Sequence, residues 1–72
     1  MREYRFSIDV SAQEFLPYYE GRIQAVVVTT WGGTRVRLPA FRLRPFVTEG
    51  GIRGNFFLVL DDHNKFVSLQ RL

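Results

Sequence analysis

The sequence predicts a mainly β fold: a small five-stranded antiparallel sheet, curled or closed into a barrel, with one short α-helix after the first strand. Two observations lead to this prediction. Five segments have the alternation or the β-branched content of strands, and two of their connections have the length and composition of hairpin loops. The chain also lacks the crossover helices that a parallel sheet needs between its strands.

The opening segment alternates between polar and apolar residues, as a half-buried strand does. Its apolar side carries Tyr4, Phe6, Ile8 and Val10. Ser11 and Glu14 follow at capping-box spacing, in which each side chain accepts a hydrogen bond from the other residue's backbone amide. A helix is therefore predicted to begin here, and Pro17 and Gly21 limit it to about two turns.

A β-hairpin is predicted next. Residues 22–31 are rich in β-branched side chains and form the second strand, while residues 34–38 return as the third. Gly32 and Gly33 permit the positive φ angles of a two-residue turn. With that turn, three pairs lie directly opposite each other: Trp31 with Thr34, Thr29 with Val36, and Val27 with Leu38.

The other face of this hairpin then carries two valines beside two arginines: Val26, Val28, Arg35 and Arg37. Such a surface is neither plainly core nor plainly solvent-facing, so another element must cover it. A homodimer that buries the valines against a second copy is one prediction. The alternative is closure of a barrel under the helix, which leaves a monomer.

The second half of the chain supplies the remaining strands. A helical turn is predicted around residues 40–43, and Pro45 stops it because the residue before a proline avoids helical geometry. Residues 48–51 form a turn, residues 55–60 the fourth strand, and residues 65–72 the fifth, with a polar loop over 61–64. Apolar residues on both faces of the second, fourth and fifth strands favour a closed or covered sheet over a flat one.

Length and composition indicate one domain over residues 1–72. Hydrophobic residues make up 46% of the chain and aromatic residues 15%, which is typical of a packed core and argues against disorder. The absence of cysteine excludes disulfides and thiolate metal sites and favours a cytoplasmic location. No apolar run approaches the ~20 residues that a membrane span requires.

No catalytic, metal-binding or cofactor-binding constellation is found, so an enzyme is not expected. His63 is the only histidine, and a divalent metal site needs partner ligands that the sequence does not supply. Ser7, Ser11 and Ser68 lack a nucleophile motif. The glycine-rich residues 50–54 follow no phosphate-loop pattern and lead into a strand.

The basic residues point to an anionic partner. The net charge is +3, and residues 21–54 contain six arginines against one glutamate. Guanidinium groups bind phosphates, and exposed aromatic rings stack on the bases of single strands. The candidate site for RNA or single-stranded DNA comprises Arg35, Arg37, Arg42, Arg44, Arg53, Trp31, Tyr18 and Tyr19. The alternatives are core positions for the aromatic residues and a protein-interaction or adaptor module with an acidic partner.

Spaced residues along nearly the whole chain, from 6 to 72, also form a recognisable pattern: Ser11-Ala12-x-Glu14-Phe15, Tyr18-Tyr19-x-Gly21, Leu43-Arg44-Pro45-Phe46-Val47-Thr48, Gly51-Ile52-x-Gly54-x-Phe56 and Lys65-Phe66-x-x-Leu69-x-Arg71-Leu72. The pattern resembles a family of small bacterial proteins known only as a domain of unknown function. The resemblance implies a stand-alone bacterial cytoplasmic protein and supplies no activity, substrate or functional residue.

Overall fold

A computed structural model describes residues 1–72 and contains five strands, one α-helix and two 3₁₀ turns. In chain order they are β1 (Arg2–Val10), α1 (Ala12–Tyr19), β2 (Ala25–Thr29), β3 (Arg35–Pro39), the 3₁₀ turns Ala40–Arg42 and Arg44–Phe46, β4 (Ile52–Leu60) and β5 (Phe66–Arg71). The mainly β composition and the short helix after the first strand are therefore confirmed.

The strands form two antiparallel sheets rather than one. Strands β1, β4 and β5 make a three-stranded sheet in the order β1-β4-β5, and β2 pairs only with β3. A single bridge joins them, between Phe6 and Thr30, beside which the Trp31 amide donates to the Arg5 carbonyl at 2.8 Å. The predicted five-stranded sheet and the closed barrel were wrong. Phe15 of α1 lies in the core and lines the space between β1 and β2, so the helix occupies the place where these strands would otherwise pair.

Both ends of α1 have the hydrogen bonds that the sequence predicts. At the start, the Glu14 amide donates to the Ser11 hydroxyl at 3.1 Å and the Ser11 amide donates to the Glu14 carboxylate at 3.3 Å. At the end, Gly21 has φ +83°, its amide donates to the Tyr18 carbonyl, and the Arg22 amide donates to the Pro17 carbonyl. This is the Schellman arrangement, in which a left-handed residue lets two terminal carbonyls find partners.

The hairpin register differs by one residue from the predicted one. Thr30 and Thr34 close a three-residue loop, in which the Thr30 amide donates to the Thr34 carbonyl at 2.8 Å and Gly33 has φ +91°. Val28 therefore pairs with Val36, and Val26 with Leu38. A shift of one residue exchanges the faces of one strand relative to the other, because side chains alternate with a period of two.

The face with two valines beside two arginines therefore does not exist. Val28 is 6% exposed and packs in the core with Val36 and Leu38, and Val26 packs partly buried against the same core. Arg35 and Arg37 share the solvent-facing side of the hairpin with Val27 and Thr29. The homodimer prediction loses the surface on which it was based.

The core lies between the inner face of the three-stranded sheet and the layer formed by the hairpin, α1 and the 3₁₀ turns. Phe6 and Phe56 stack at 5.5 Å between ring centroids, and Phe46 meets Phe56 edge-on at 5.1 Å. Ten buried residues form this cluster: Phe6, Phe15, Val28, Val36, Leu38, Leu43, Ile52, Phe56, Leu58 and Leu60. The opposite face of the three-stranded sheet is consequently left towards solvent.

Candidate functional site

The eight residues of the predicted site lie in three parts of the fold and do not form one patch. Arg35 and Arg37 lie on β3, Trp31 and Arg53 lie at the outer face of the three-stranded sheet, and Tyr18, Tyr19, Arg42 and Arg44 surround the end of α1 and the 3₁₀ turns.

The group around α1 is engaged in contacts within the chain. The Arg44 guanidinium lies 4.7 Å from the centroid of the Tyr19 ring, and the Arg42 guanidinium lies 4.2 Å from that of Phe66. Tyr18 is half-buried and stacks on Phe15 at 5.4 Å. Cation–π contacts of this kind hold the arginine stems against apolar surface, so these residues contribute to the packing around the end of α1.

Arg53 forms an ion pair with Asp9 on the neighbouring strand β1. Its Nε donates to the Asp9 carboxylate at 2.8 Å across the β1–β4 pair, at positions that lie directly opposite each other. A phosphate would have to compete with this carboxylate for the guanidinium group. Arg53 is therefore a weaker candidate for anion binding than an arginine without an acidic partner.

Arg35 and Arg37 lie in a cleft that also contains Arg2, a residue that the predicted site omits. The cleft has a volume of about 380 Å³ and is lined by Arg2, Tyr4, Thr34, Arg35, Val36, Arg37, Leu60 and Asn64. We call it the arginine cleft. No aspartate or glutamate lines it, and none of its three arginines forms an ion pair. The three arginines that line this cleft therefore have no carboxylate partner.

The loop between β4 and β5 helps to hold Arg2 in place. Arg2 Nη1 donates to Asn64 Oδ1 at 2.7 Å, and Asn64 has φ +63°. The Asp61 carboxylate accepts from the Lys65 amide at 2.9 Å and from the His63 amide at 2.8 Å, which closes the loop. The hydrogen bond from Lys65, above all, lowers the pKa of Asp61, because it stabilises the charged carboxylate. His63 itself lies exposed in this loop.

Arg2 was missed because it lies outside the central arginine-rich segment of the sequence. Its position at the start of a strand, on the same side as Tyr4, was the one available signal. The approach of β3 to that strand end depends on how the hairpin crosses β1, which no local pattern encodes.

A second group of residues forms what we call the outer sheet face, the side of β1, β4 and β5 that points away from the core. Trp31 is 57% exposed and its indole Nε1 donates to the Ser7 hydroxyl at 3.0 Å. That hydroxyl donates to Asn55 Oδ1 at 2.7 Å. The Arg5 guanidinium lies 5.0 Å from the centroid of the half-buried Phe57 ring. Aromatic, amide and guanidinium groups are thus side by side on an open face.

A second cleft, of about 390 Å³, lies between β1, α1 and β2. Its charged lining residues are carboxylates, in contrast to those of the arginine cleft. Among its lining residues are Asp9 and Glu14, and no arginine or lysine contributes. It lies on the other side of the Phe6–Thr30 bridge from the arginine cleft, because it is lined by residues 7–10 of β1 and 26–29 of β2. Its carboxylates disfavour a phosphate, whereas the arginine cleft has no carboxylate among its lining residues.

No group of three or more histidine, cysteine, aspartate or glutamate side chains is arranged to hold a metal ion. No helix of the chain has the length and apolar character to cross a membrane.

The fold and the cleft together define a class of protein, a mainly β chain with a cleft that three arginines line. The chain belongs to the family described as "Protein of unknown function (DUF2835)", whose sequence profile matches residues 2–72. The resemblance to a domain of unknown function is thereby confirmed. No curated protein and no solved structure matches the chain.

Proposed function

We propose that this protein binds single-stranded nucleic acid, RNA or single-stranded DNA, and that the arginine cleft contacts the phosphates. The observation that carries the proposal is the gathering of Arg2, Arg35 and Arg37 around one cleft that no carboxylate lines. Each guanidinium presents a planar fork of donors that matches the oxygens of a phosphate.

The composition of the chain also supports a polyanion rather than a small anion. The isoelectric point is about 10.0, and three arginines line one cleft of about 380 Å³. A backbone that carries a charge at every nucleotide can place several phosphates beside these arginines. Trp31, exposed on the adjoining hairpin loop, favours unpaired bases over a duplex.

The test is the salt dependence of binding to a fluorescent 20-nucleotide oligo(dT) or oligo(U), followed by anisotropy. Three phosphate contacts predict a slope of log K against log salt of about −2, since each contact on a single strand contributes about −0.7. Arg35→Gln and Arg37→Gln should each weaken binding and reduce the slope by about 0.7.

Arg22→Gln is the matched control, because it removes the same charge from an arginine already paired with Glu20 at 2.7 Å. It should change the slope less than either cleft variant. Absence of binding to both oligonucleotides at low salt would refute the proposal. Binding of poly-glutamate at equal or higher affinity would instead support a module that recognises an acidic protein partner.

A further inference from the structure

Trp31 is held on the outer sheet face and is not a freely moving loop side chain. Its backbone amide donates to the Arg5 carbonyl at 2.8 Å, and its indole N–H donates to the Ser7 hydroxyl at 3.0 Å. The buried Thr30 precedes it and the β-bridge to Phe6 fixes the loop. The ring therefore remains 57% exposed while its position is set by three contacts. An exposed aromatic ring that is already ordered loses little entropy when a ligand stacks on it.

Phe57 provides a second apolar ring on the same face. It lies opposite Arg5 in the β1–β4 register, and the guanidinium of Arg5 covers it at 5.0 Å. Arg5 forms no ion pair. A guanidinium plane on an aromatic ring is itself a surface on which a nucleobase stacks.

Amide side chains occupy the positions between and beside these rings. Asn55 lies opposite Ser7 on β4, and Gln70 lies opposite Phe57 on β5. Both are exposed. Amide groups offer a donor and an acceptor at once, which is what the polar edge of a base requires. The only carboxylates on this face are Glu3 and Asp9, and Asp9 is paired with Arg53.

The outer sheet face adjoins the arginine cleft through the hairpin loop. Trp31 begins this loop on the side of the sheet face, and Thr34, which ends it, lines the cleft. A single strand whose phosphates lie in the cleft can therefore pass its bases over the loop onto the sheet face.

We propose that the outer sheet face binds the bases of a single-stranded nucleic acid, with stacking on Trp31 and on the Arg5–Phe57 pair and with polar contacts from Asn55 and Gln70. This inference rests on the proposed function, since it assigns the bases of the same ligand whose phosphates occupy the arginine cleft. In this arrangement the arginine cleft binds the phosphates of the ligand and the outer sheet face binds its bases.

The experiment uses Trp31 as a reporter, because it is the only tryptophan in the chain. Oligo(dT) of 15 nucleotides is compared with an abasic 15-mer that has the same backbone charge. We expect both to bind by anisotropy, and only oligo(dT) to quench the fluorescence of Trp31. Trp31→Ala should weaken oligo(dT) binding on the order of tenfold and leave the abasic strand unaffected, whereas Trp31→Phe should retain most of the affinity.

Tyr19→Ala is the matched control, because it removes another exposed aromatic ring, which lies on α1 and away from this face. Equal affinity for the two strands without quenching would overturn the base-binding inference and leave the phosphate-binding proposal standing. If neither oligo(dT) nor the abasic strand binds, the base-binding inference and the phosphate-binding proposal are both overturned. A circular dichroism spectrum of each variant confirms that the fold is retained before affinities are compared.

Discussion

The nine arginines differ in what they contact, although each has the same formal charge. Arg22 and Arg53 are paired with carboxylates, and Arg42 and Arg44 lie on aromatic rings. Arg71 lies over Gly54 and donates to the Arg53 carbonyl at 2.6 Å, so it closes the end of the inner sheet face. The net charge of the chain therefore says less about anion binding than the few arginines without a partner do.

Gly51 is the glycine whose replacement the structure tolerates least. It has φ +106°, and a Cβ atom there would collide with the Val10 carbonyl and approach the Ala12 amide to 2.6 Å. Gly51→Ala should destabilise the protein by at least about 3 kcal/mol, because strain at a left-handed position adds to a clash with backbone that cannot move aside. Urea unfolding measures this change.

Gly50→Ala is the control for this prediction. Its φ is not in the left-handed region, and a Cβ atom would have no neighbour closer than 4.0 Å. Gly50→Ala should therefore change the free energy of unfolding by less than about 1 kcal/mol. If Gly50→Ala and Gly51→Ala unfold at the same urea concentration, Gly51 does not lie in close contact with the end of β1.

The hairpin of β2 and β3 is the element whose geometry decides where the candidate site lies. Its three-residue loop sets the register, and the register turns Val36 and Leu38 into the core while Arg35 and Arg37 face solvent. Thr30 is the one buried polar residue, and its hydroxyl accepts a hydrogen bond from the Thr34 amide at 3.0 Å.

Thr30→Val should therefore destabilise the hairpin, although valine has nearly the same shape. The Thr34 amide would lose its side-chain acceptor, which costs about 1 to 2 kcal/mol at a partly buried position. Thr29→Val is the control, since Thr29 is exposed on the outer side of the same strand and its change should be near neutral. Thermal or urea unfolding of both variants tests this, and similar losses for the two would contradict the hydrogen bond's role.

At the scale of the whole molecule, one β-bridge between the two sheets separates a cleft lined by arginines from a cleft lined by carboxylates. Residues before Phe6 and after Thr30 line the arginine cleft, and residues after Phe6 and before Thr30 line the acidic one. A closed barrel would have paired these strand edges and removed both clefts. The incomplete closure of the sheet is thus what provides a concave basic surface in a chain of 72 residues.

Substitution of neighbouring valines tests this arrangement of the layers. Val28 is buried at 6% exposure and Val27 is 52% exposed on the opposite side of β2. Val28→Asp should unfold the protein, since an isolated buried carboxylate costs several kcal/mol, whereas Val27→Asp should leave it folded. Circular dichroism and size-exclusion with light scattering distinguish these outcomes. A folded Val28→Asp variant, or an unfolded Val27→Asp variant, would contradict the observed orientation of β2.

Local rules in the sequence determined the helix, the presence of a hairpin and the number and order of the strands, whereas the predicted second strand (22–31) was longer than β2 and the predicted fourth (55–60) shorter than β4. The Ser11–Glu14 capping box and the left-handed Gly21 specify the ends of α1 through atoms only a few residues apart, so no tertiary information was needed. Alternation along β1 likewise separated a core side from a solvent side. In β4 both faces are apolar in the sequence, and only the structure shows that Phe56, Leu58 and Leu60 are the buried ones.

The tertiary structure alone decided the pairing of the sheets and the membership of the candidate site. Two glycines suited a two-residue turn, yet the three-residue loop pairs Val28 with Val36 and Val26 with Leu38. This register puts two valines of β2 on the core side with Val36 and Leu38, whereas the two-residue turn would put Val27 and Thr29 there, so the observed register buries more apolar area. Arg2 meets Arg35 and Arg37 through this same register. Periodicity within a segment defines which residues share a face, whereas contacts between distant segments depend on how the whole chain buries its apolar surface.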